Sequence, residues 1–418
     1  MESTLDISNL DRTRATFMAA REDFPILQTE RNGKPLVFFD SAASAQKPIQ
    51  VLDAERKFLT EGYANIHRGV YHLSDSATTA YESARDAVAR FLGVLESRSI
   101  VFTRGATEAI NLVAQSFAKS RLKSGQAILL SELEHHANIV PWQMLADELD
   151  LRILRIPITD QGEWDLTSLD ELLDLNVGMV SVNHVSNALG TINPVKDVIK
   201  AAHARGIPVL LDGAQAAPHG LSQIEDLDCD FYAFSSHKLF GPTGVGVLYG
   251  KQEHLESMPP FLGGGDMIDK VSFDGTTFAK APAKFEAGTP NISGGIGLAA
   301  AIAYFEQFDA EEIHRYESSL REKLEAGFRE IPGLRIFGES ENKVSVTSFL
   351  IDGVHPHDIA TFLDAENMCI RAGHHCCQPL MTRFGIVGTA RASLAWYNTE
   401  EEVERFVSII AKIQKFFG

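Results

Sequence analysis

The sequence predicts an α/β protein, with a large domain on a mostly parallel sheet and a smaller α+β domain after it. Three features carry that expectation. Between residues 100 and 250 short apolar runs alternate with amphipathic stretches. A Gly-rich segment, 261–297, then breaks the rhythm, and beyond it come a long amphipathic helix and short strands and helices in mixed order.

The runs "AILLS" (127–131), "LRILRIPI" (151–158), "GMVSVNHVS" (178–186), "PVLLD" (208–212), "DFYAFSS" (230–236) and "GVGVLYG" (244–250) read as buried strands. Helix-like pieces lie between most of them. "PVKDVIKAAHARG" starts at Pro194, whose fixed φ suits a first helical turn, and stops at Gly206. Such alternation implies a parallel sheet covered on both faces. Segment 261–297 reads as long loops. Ile313, Tyr316, Leu320, Leu324, Phe328 and Ile331 step by three or four and mark one buried helix face. "VSVTSFLI", "HDIATFLDAEN", "MCIRAG", "ARASLAWY" and a last amphipathic helix complete the small domain. The expected division is 1–31 as an N-terminal segment packed with the small domain, 32–304 as the large domain and 305–418 as the small one.

Among 418 residues, 38 basic side chains face 56 acidic ones, a net charge of −18 that repels phosphate backbones and anionic lipid. No nucleic-acid or membrane partner is expected. The N-terminus has no apolar stretch of signal-peptide length and no run approaches a membrane span, so a cytoplasmic location is expected. Four cysteines, two of them adjacent, do not make a disulfide framework.

Ligands of an open parallel sheet bind beyond the carboxyl ends of its strands. There the sequence collects Glu134, His135 and His136 after one strand, Asn187 after another, then Asp212 and Gln215, then His237 and Lys238. Taken singly, Asp212 is an ordinary turn residue and Lys238 an ordinary surface lysine. Yet Lys238 follows one apolar strand and leads into another through "LFGPTGVGVLYG". A lysine desolvated in that way loses basicity and becomes an amine fit for Schiff-base chemistry. In "VFTRGATEAINLVAQSFAKS" a strand ends at Thr103, Gly105 permits a turn and a helix begins near Thr107. Its free N–H groups suit a phosphate, although a plain N-cap explains the motif alone. Together the three features suggest pyridoxal phosphate: an amine for the aldehyde, a carboxylate for the ring nitrogen and a cradle for the phosphate. "RAGHHCCQPLM" (371–381) adds two histidines and two cysteines. Four consecutive residues cannot easily wrap one tetrahedral ion, so a zinc site is disfavoured and a reactive thiol favoured.

"DSAASAQKP", "HRGVYHLS", "RGATEAINLVA", "EHHANIVPWQ", "HVSNALGT", "DGAQAAPH", "DFYAFSSHKLFGPTGVGVLYG", "FEAGTPN" and "RAGHHCCQPLM" occur in this order from about residue 24 onward. They resemble the SufS-type cysteine desulfurases, in the class V group of fold-type I pyridoxal-phosphate enzymes. The resemblance implies a seven-stranded sheet in the large domain and pyridoxal 5'-phosphate held covalently by Lys238. It implies that Asp212 meets the pyridinium N–H, that Gln215 bonds the phenolic oxygen and that His135 stacks on the ring and shuttles a proton. Ala106, Thr107, Ser235 and His237 then hold the phosphate. Thr289 reaches the phosphate of a neighbouring subunit, which implies a homodimer. Asn187 and Arg391 clamp the carboxylate of L-cysteine, with Arg371 and His67 as further pocket residues.

The implied activity turns L-cysteine into L-alanine and leaves a persulfide on Cys376 for iron–sulfur cluster assembly in a SUF system. The sulfur goes on to an acceptor of SufU or SufE type. "GVHPHDIATFLD" resembles the SufU-partnered branch, in which His357 joins the partner's zinc; otherwise Pro356 and Asp358 simply start a helix. The chain departs from the pattern at Ser236, commonly glycine, at Ala106, commonly threonine, and at Cys377, more usually alanine. Selenocysteine lyase is the alternative on the same site. A non-enzymatic sulfur carrier, which needs no Lys238, is the alternative from another class.

Overall fold

The structure is a computed structural model and describes residues 7–417. Its centre is a seven-stranded sheet in the order Ile100–Thr103, Gly246–Gly250, Phe231–Ser235, Val209–Asp212, Val177–Asn183, Ala127–Ser131, Arg152–Ile156. Six strands share one direction and Gly246–Gly250 runs against them. Every residue of Ala127–Ser131, Val209–Asp212, Phe231–Ser235 and Gly246–Gly250 is buried. Helices cover both faces, and continuous apolar strands are what that setting selects.

Two expectations need correction. The run 151–158 is not a buried strand: Arg152–Ile156 forms the edge of the sheet, with Arg152, Ile153 and Arg155 exposed. Arg152 and Arg155, three apart, put a charge on each face of the strand, and charge on an edge strand discourages pairing with other chains. The segment 261–297 is not all loop either. It holds a hairpin, Ile268–Ser272 with Gly275–Phe278, and the start of the helix Ile292–Phe305. Nearly all of the hairpin is exposed, so no buried face imposed an apolar period on its sequence. The helix carries three glycines near its start, but Asn291 caps it by accepting from Gly294 N at 3.0 Å.

The C-terminal unit opens with Ala310–Arg329, capped by Asp309, which accepts from Glu312 N at 2.9 Å. Such a cap is worth about 1 kcal/mol. The expected stripe is on its inner face, with Ile313, Tyr316, Leu320, Leu324 and Phe328 buried. A four-stranded antiparallel sheet follows, in the order Leu334–Phe337, Val346–Ile351, Thr389–Ser393, Arg371–Gly373. Val37–Phe38 pairs in parallel with Met368–Cys369, and Asp40 bridges to Ser393, so the early chain is laced to this unit. Phe17 of the first helix meets Tyr316 and Trp396, and Trp396 in turn packs on Phe240, two residues beyond Lys238. That aromatic core ties the N-terminal helix, the small unit and the lysine turn together.

Candidate active site

Five strand-to-helix loops converge at the carboxyl ends of the parallel strands on a cavity of about 190 Å³. Its lining includes Ala106, Thr107, His135, Asn187, Asp212, Gln215, Ser235, His237, Lys238, Arg371, Cys376 and Arg391. Residues as far apart in the chain as Ala42 and Arg391 thus meet because the sheet delivers large-domain loops to one side, while the small unit supplies Arg371, His375, Cys376 and Arg391.

Lys238 closes the tight turn Ser236–Lys238 between two buried strands. Burial lowers its basicity, and Arg391 adds to this while Asp212 opposes it. Asp212 ends its strand fully enclosed, and burial raises its carboxyl above the usual range, with Lys238 and the Ala214 N–H pulling the other way. His135 Nδ1 accepts from Ala137 N at 3.0 Å, so the proton of the neutral ring sits on Nε2. Burial first, then Lys238, His136 and Arg391, push His135 down to about 3. It is therefore an uncharged ring at neutral pH.

The phosphate end is built by a helix that starts at Ala106, next to the expected Thr107, and continues through wider turns to Arg121. Ala106 N donates to Ser235 Oγ at 2.9 Å, which leaves the Ser235 hydroxyl proton free for an anion. Thr107 and a neutral His237, lowered to about 4 mainly by burial, line the same end. The approach is very close. A Cβ on Gly246 would lie 2.3 Å from Gly105 Cα, so only glycine lets the turn sit on that strand. Gln215 donates to Ala42 O at 2.6 Å and so presents its other amide atoms to the cavity. An amine, a buried carboxylate and an anion cradle around one cavity fit pyridoxal phosphate.

The cysteine loop enters from the small unit. His375 and Cys376 both adopt left-handed backbone, with φ of 52° and 56°. His136 N donates to Cys376 O at 2.7 Å, and Gln378 N donates to His136 Nε2 at 3.1 Å. The two thiols differ sharply: Cys376 is exposed, whereas Cys377 is buried and its thiol is pushed up to about 12, chiefly by burial. His375 is enclosed, its Nε2 bonded to Thr389 Oγ1 at 2.8 Å, and burial with Arg391 and Arg371 lowers it to about 2.

Two residues carry weight that the sequence reading did not assign. Asp40 bridges both arginines, accepting from Arg391 Nη2 at 3.1 Å and from Arg371 Nη2 at 3.0 Å. Its motif "DSAASAQKP" was visible, but nothing local says that its carboxylate meets residues some 330 positions later. Glu134, noted only as a neighbour of His135, is buried and accepts from Ser131 Oγ at 2.5 Å, Asn138 Nδ2 at 2.7 Å and Asn183 N at 3.0 Å. It pins the loop that carries His135 and His136.

Three expected site residues lie outside this cavity. Thr289 lines a separate one with Arg104 and Glu286; Glu286 is clamped by Arg85 at 2.6 and 2.9 Å. His67 is exposed, with φ of 69°, and its Nε2 lies 3.0 Å from Glu82 Oε1. His357 is exposed at the start of the helix Pro356–Ala365, stacked on His355 at 5.3 Å.

A lysine in a tight turn at the end of a parallel sheet, facing a strand-end aspartate and an anion cradle, defines a pyridoxal-phosphate enzyme of fold type I. Residues 37–406 match the family "Aminotransferase class-V". The "Probable cysteine desulfurase" of Xylella fastidiosa (strain 9a5c) is 49% identical over 398 residues, 95% of each chain. The "Cysteine desulfurase" of Dickeya dadantii (strain 3937) is 48% identical over 410 residues, 98% of each. The crystal structure of the Escherichia coli cysteine desulfurase CsdA superposes with a TM-score of 0.89 at 40% identity, covering 97% of this chain and 99% of that one. The chain belongs to the class-V aminotransferase family, and within it is a pyridoxal-phosphate-dependent cysteine desulfurase.

Proposed function

We propose that this desulfurase is of the SufS type, converting L-cysteine to L-alanine and passing the sulfur through a persulfide on Cys376 to an acceptor that feeds iron–sulfur cluster assembly. One observation carries the reading: an exposed thiol from the small unit lines the same cavity as the buried lysine and aspartate.

When bound, pyridoxal phosphate supplies an aldehyde for amines and an electron sink for the substrate carbon. The chain supplies the rest. Arg391, fixed by Asn187 O at 2.7 Å and by Asp40, offers its remaining N–H groups to the substrate carboxylate. Lys238, of lowered basicity, moves the proton at the substrate α-carbon. Asp212 would meet the ring nitrogen, Gln215 the phenolic oxygen, and Ala106, Thr107, Ser235 and His237 the phosphate. The neutral His135 ring offers its flat face and its Nε2 proton. Cys376, as thiolate, then attacks the substrate sulfur: an S–S bond forms, the C–S bond breaks and its electron pair stays on carbon, which a proton restores to alanine. Cys377, buried and protonated, is the weaker nucleophile.

The same reading includes a homodimer. Val70, Tyr71 and Leu73 are exposed, as are Val271 and Phe273 of the hairpin, and apolar surface of this kind is what a second copy covers. Thr289 and His67, away from the cavity of their own chain, are then available to the neighbour's. His357, exposed on its helix, is available to an acceptor's zinc. No helix among the described residues is long and apolar enough to cross a membrane.

The test is product analysis of the purified holoenzyme with L-cysteine and with L-selenocysteine, with and without a SufU- or SufE-type acceptor. The reading expects alanine from L-cysteine, faster when an acceptor is added. Alanine from L-selenocysteine alone would move the reading to a selenocysteine lyase, and indifference to both acceptors would remove the SUF assignment.

A further inference from the structure

Cys377 takes no part in the chemistry above, yet its buried thiol has a partner. Sγ donates to Asn187 Oδ1 at 3.1 Å, and the same amide donates through Nδ2 to His375 O at 2.8 Å. Asn187 follows the large-sheet strand Val177–Asn183, and its backbone carbonyl accepts from Arg391 Nη1 at 2.7 Å. One large-domain amide therefore grips the cysteine loop on both sides of Cys376. Each of its atoms meets the only kind of partner it accepts, the oxygen an S–H and the nitrogen a carbonyl.

The grip matters because the residues between the two contacts are costly to hold. Left-handed backbone is unfavourable for residues with a Cβ, and here two such residues are consecutive. Surrounding contacts must over-determine that geometry. His136 does so through the Cys376 carbonyl, Thr389 through the His375 ring, and Asn187 through the His375 carbonyl and the Cys377 thiol. Cys377 also stands at the N-cap of the helix Gln378–Arg383, so its contact joins that helix to the large sheet.

We propose that Cys377 is a positioning residue whose thiol, through Asn187, latches the His375–Cys376 segment in the arrangement that turns Cys376 to the cavity. The proposal rests on the reading of Cys376 as the nucleophile. Because the buried thiol is held at about 12, it keeps its donor hydrogen across the working pH range.

The test uses the holoenzyme and reads persulfide on Cys376 by mass spectrometry after rapid quenching, in the parent, Cys377→Ala and Cys377→Ser. Losing one neutral hydrogen bond should slow persulfide formation at saturating L-cysteine about threefold. The half-saturating concentration should stay unchanged, and Cys377→Ser, which restores a donor, should recover the parental rate. A parental rate in Cys377→Ala, or a Cys377→Ser as slow as the alanine variant, overturns the latch. A second measurement does not depend on turnover. Without substrate, Cys377 should be protected from iodoacetamide in the parent and labelled about threefold faster in Asn187→Ala. Equal labelling overturns the latch. Absence of persulfide on Cys376 in the parent defeats the nucleophile reading, while the labelling still decides the latch.

Discussion

The lysine turn and the cysteine loop bring Lys238 and Cys376 to one cavity by different means. The lysine turn is backbone architecture. Between two buried strands, Ser236 N donates to Val245 O at 3.0 Å; from the early chain Ala45 N donates to His237 O at 3.1 Å, and the Lys47 side chain adds a contact to the same carbonyl at 2.9 Å. The cysteine loop hangs from the small unit in left-handed backbone, is braced there by Thr389, and is fixed against the large domain by the side chains of His136 and Asn187 together with the His136 N–H. On the proposed reading, the fixed end keeps the cofactor and the end held by separable contacts releases the sulfur.

That contrast is broken most completely at the fixed end. Lys238→Ala should abolish alanine formation, by about 10³-fold or more, and remove the yellow colour of the purified protein. A fully active, coloured variant would dismiss the lysine assignment. At the other end, Cys376→Ser should lower sulfur transfer from L-cysteine more than about 100-fold, because a hydroxyl is a poor nucleophile at sulfur. Cofactor absorbance should persist, which separates the two regions by spectroscopy.

Asp40 joins the regions, so its loss should fall between these effects. Asp40→Asn leaves the buried Arg391 without its counter-charge and should cost about 2 kcal/mol in urea unfolding, below a fully buried pair because Arg371 is exposed. KM for L-cysteine should rise more than kcat falls. Unchanged KM would mean that the arginine pair does not read the carboxylate.

The smallest effect concerns pH. His375 is held at about 2 in the folded chain, against an unfolded value near 6.5. A depressed value means that the unfolded chain takes up the proton first. Its stabilising contribution is thus complete above pH 6.5 and shrinks as pH falls toward 2. His375→Asn, an amide tolerated in left-handed backbone, should flatten the loss of stability between pH 7 and 5. A variant as acid-sensitive as the parent would contradict the assigned environment.

The sequence revealed most where burial imposes a pattern. The runs that became interior strands, the stripe on Ala310–Arg329 and the lysine between two strands were all legible, because a covered surface constrains every residue along it. The exposed hairpin 268–278 was not, since solvent selects no period. The edge strand was misread because its apolar residues outweighed two arginines, one on each face, which a strand covered on both sides would not carry. At the site, "RGATE", "DGAQ" and "SSHK" sit at strand ends and announce themselves, and all three line the cavity. Asp40 did not, because its importance exists only after the early chain bridges to Ser393. The inequality of the two cysteines could be suspected from sequence, but its cause, burial of Cys377 against Asn187, is tertiary.

The central claim is that the loop offers one thiol to the site and keeps the other as structure. Peptide mass mapping of the holoenzyme after brief exposure to L-cysteine, without reductant, tests it most directly. The account predicts one added sulfur on Cys376 and none on Cys377. Sulfur on Cys377 in the parent, or persistence of the adduct in Cys376→Ser, would contradict it.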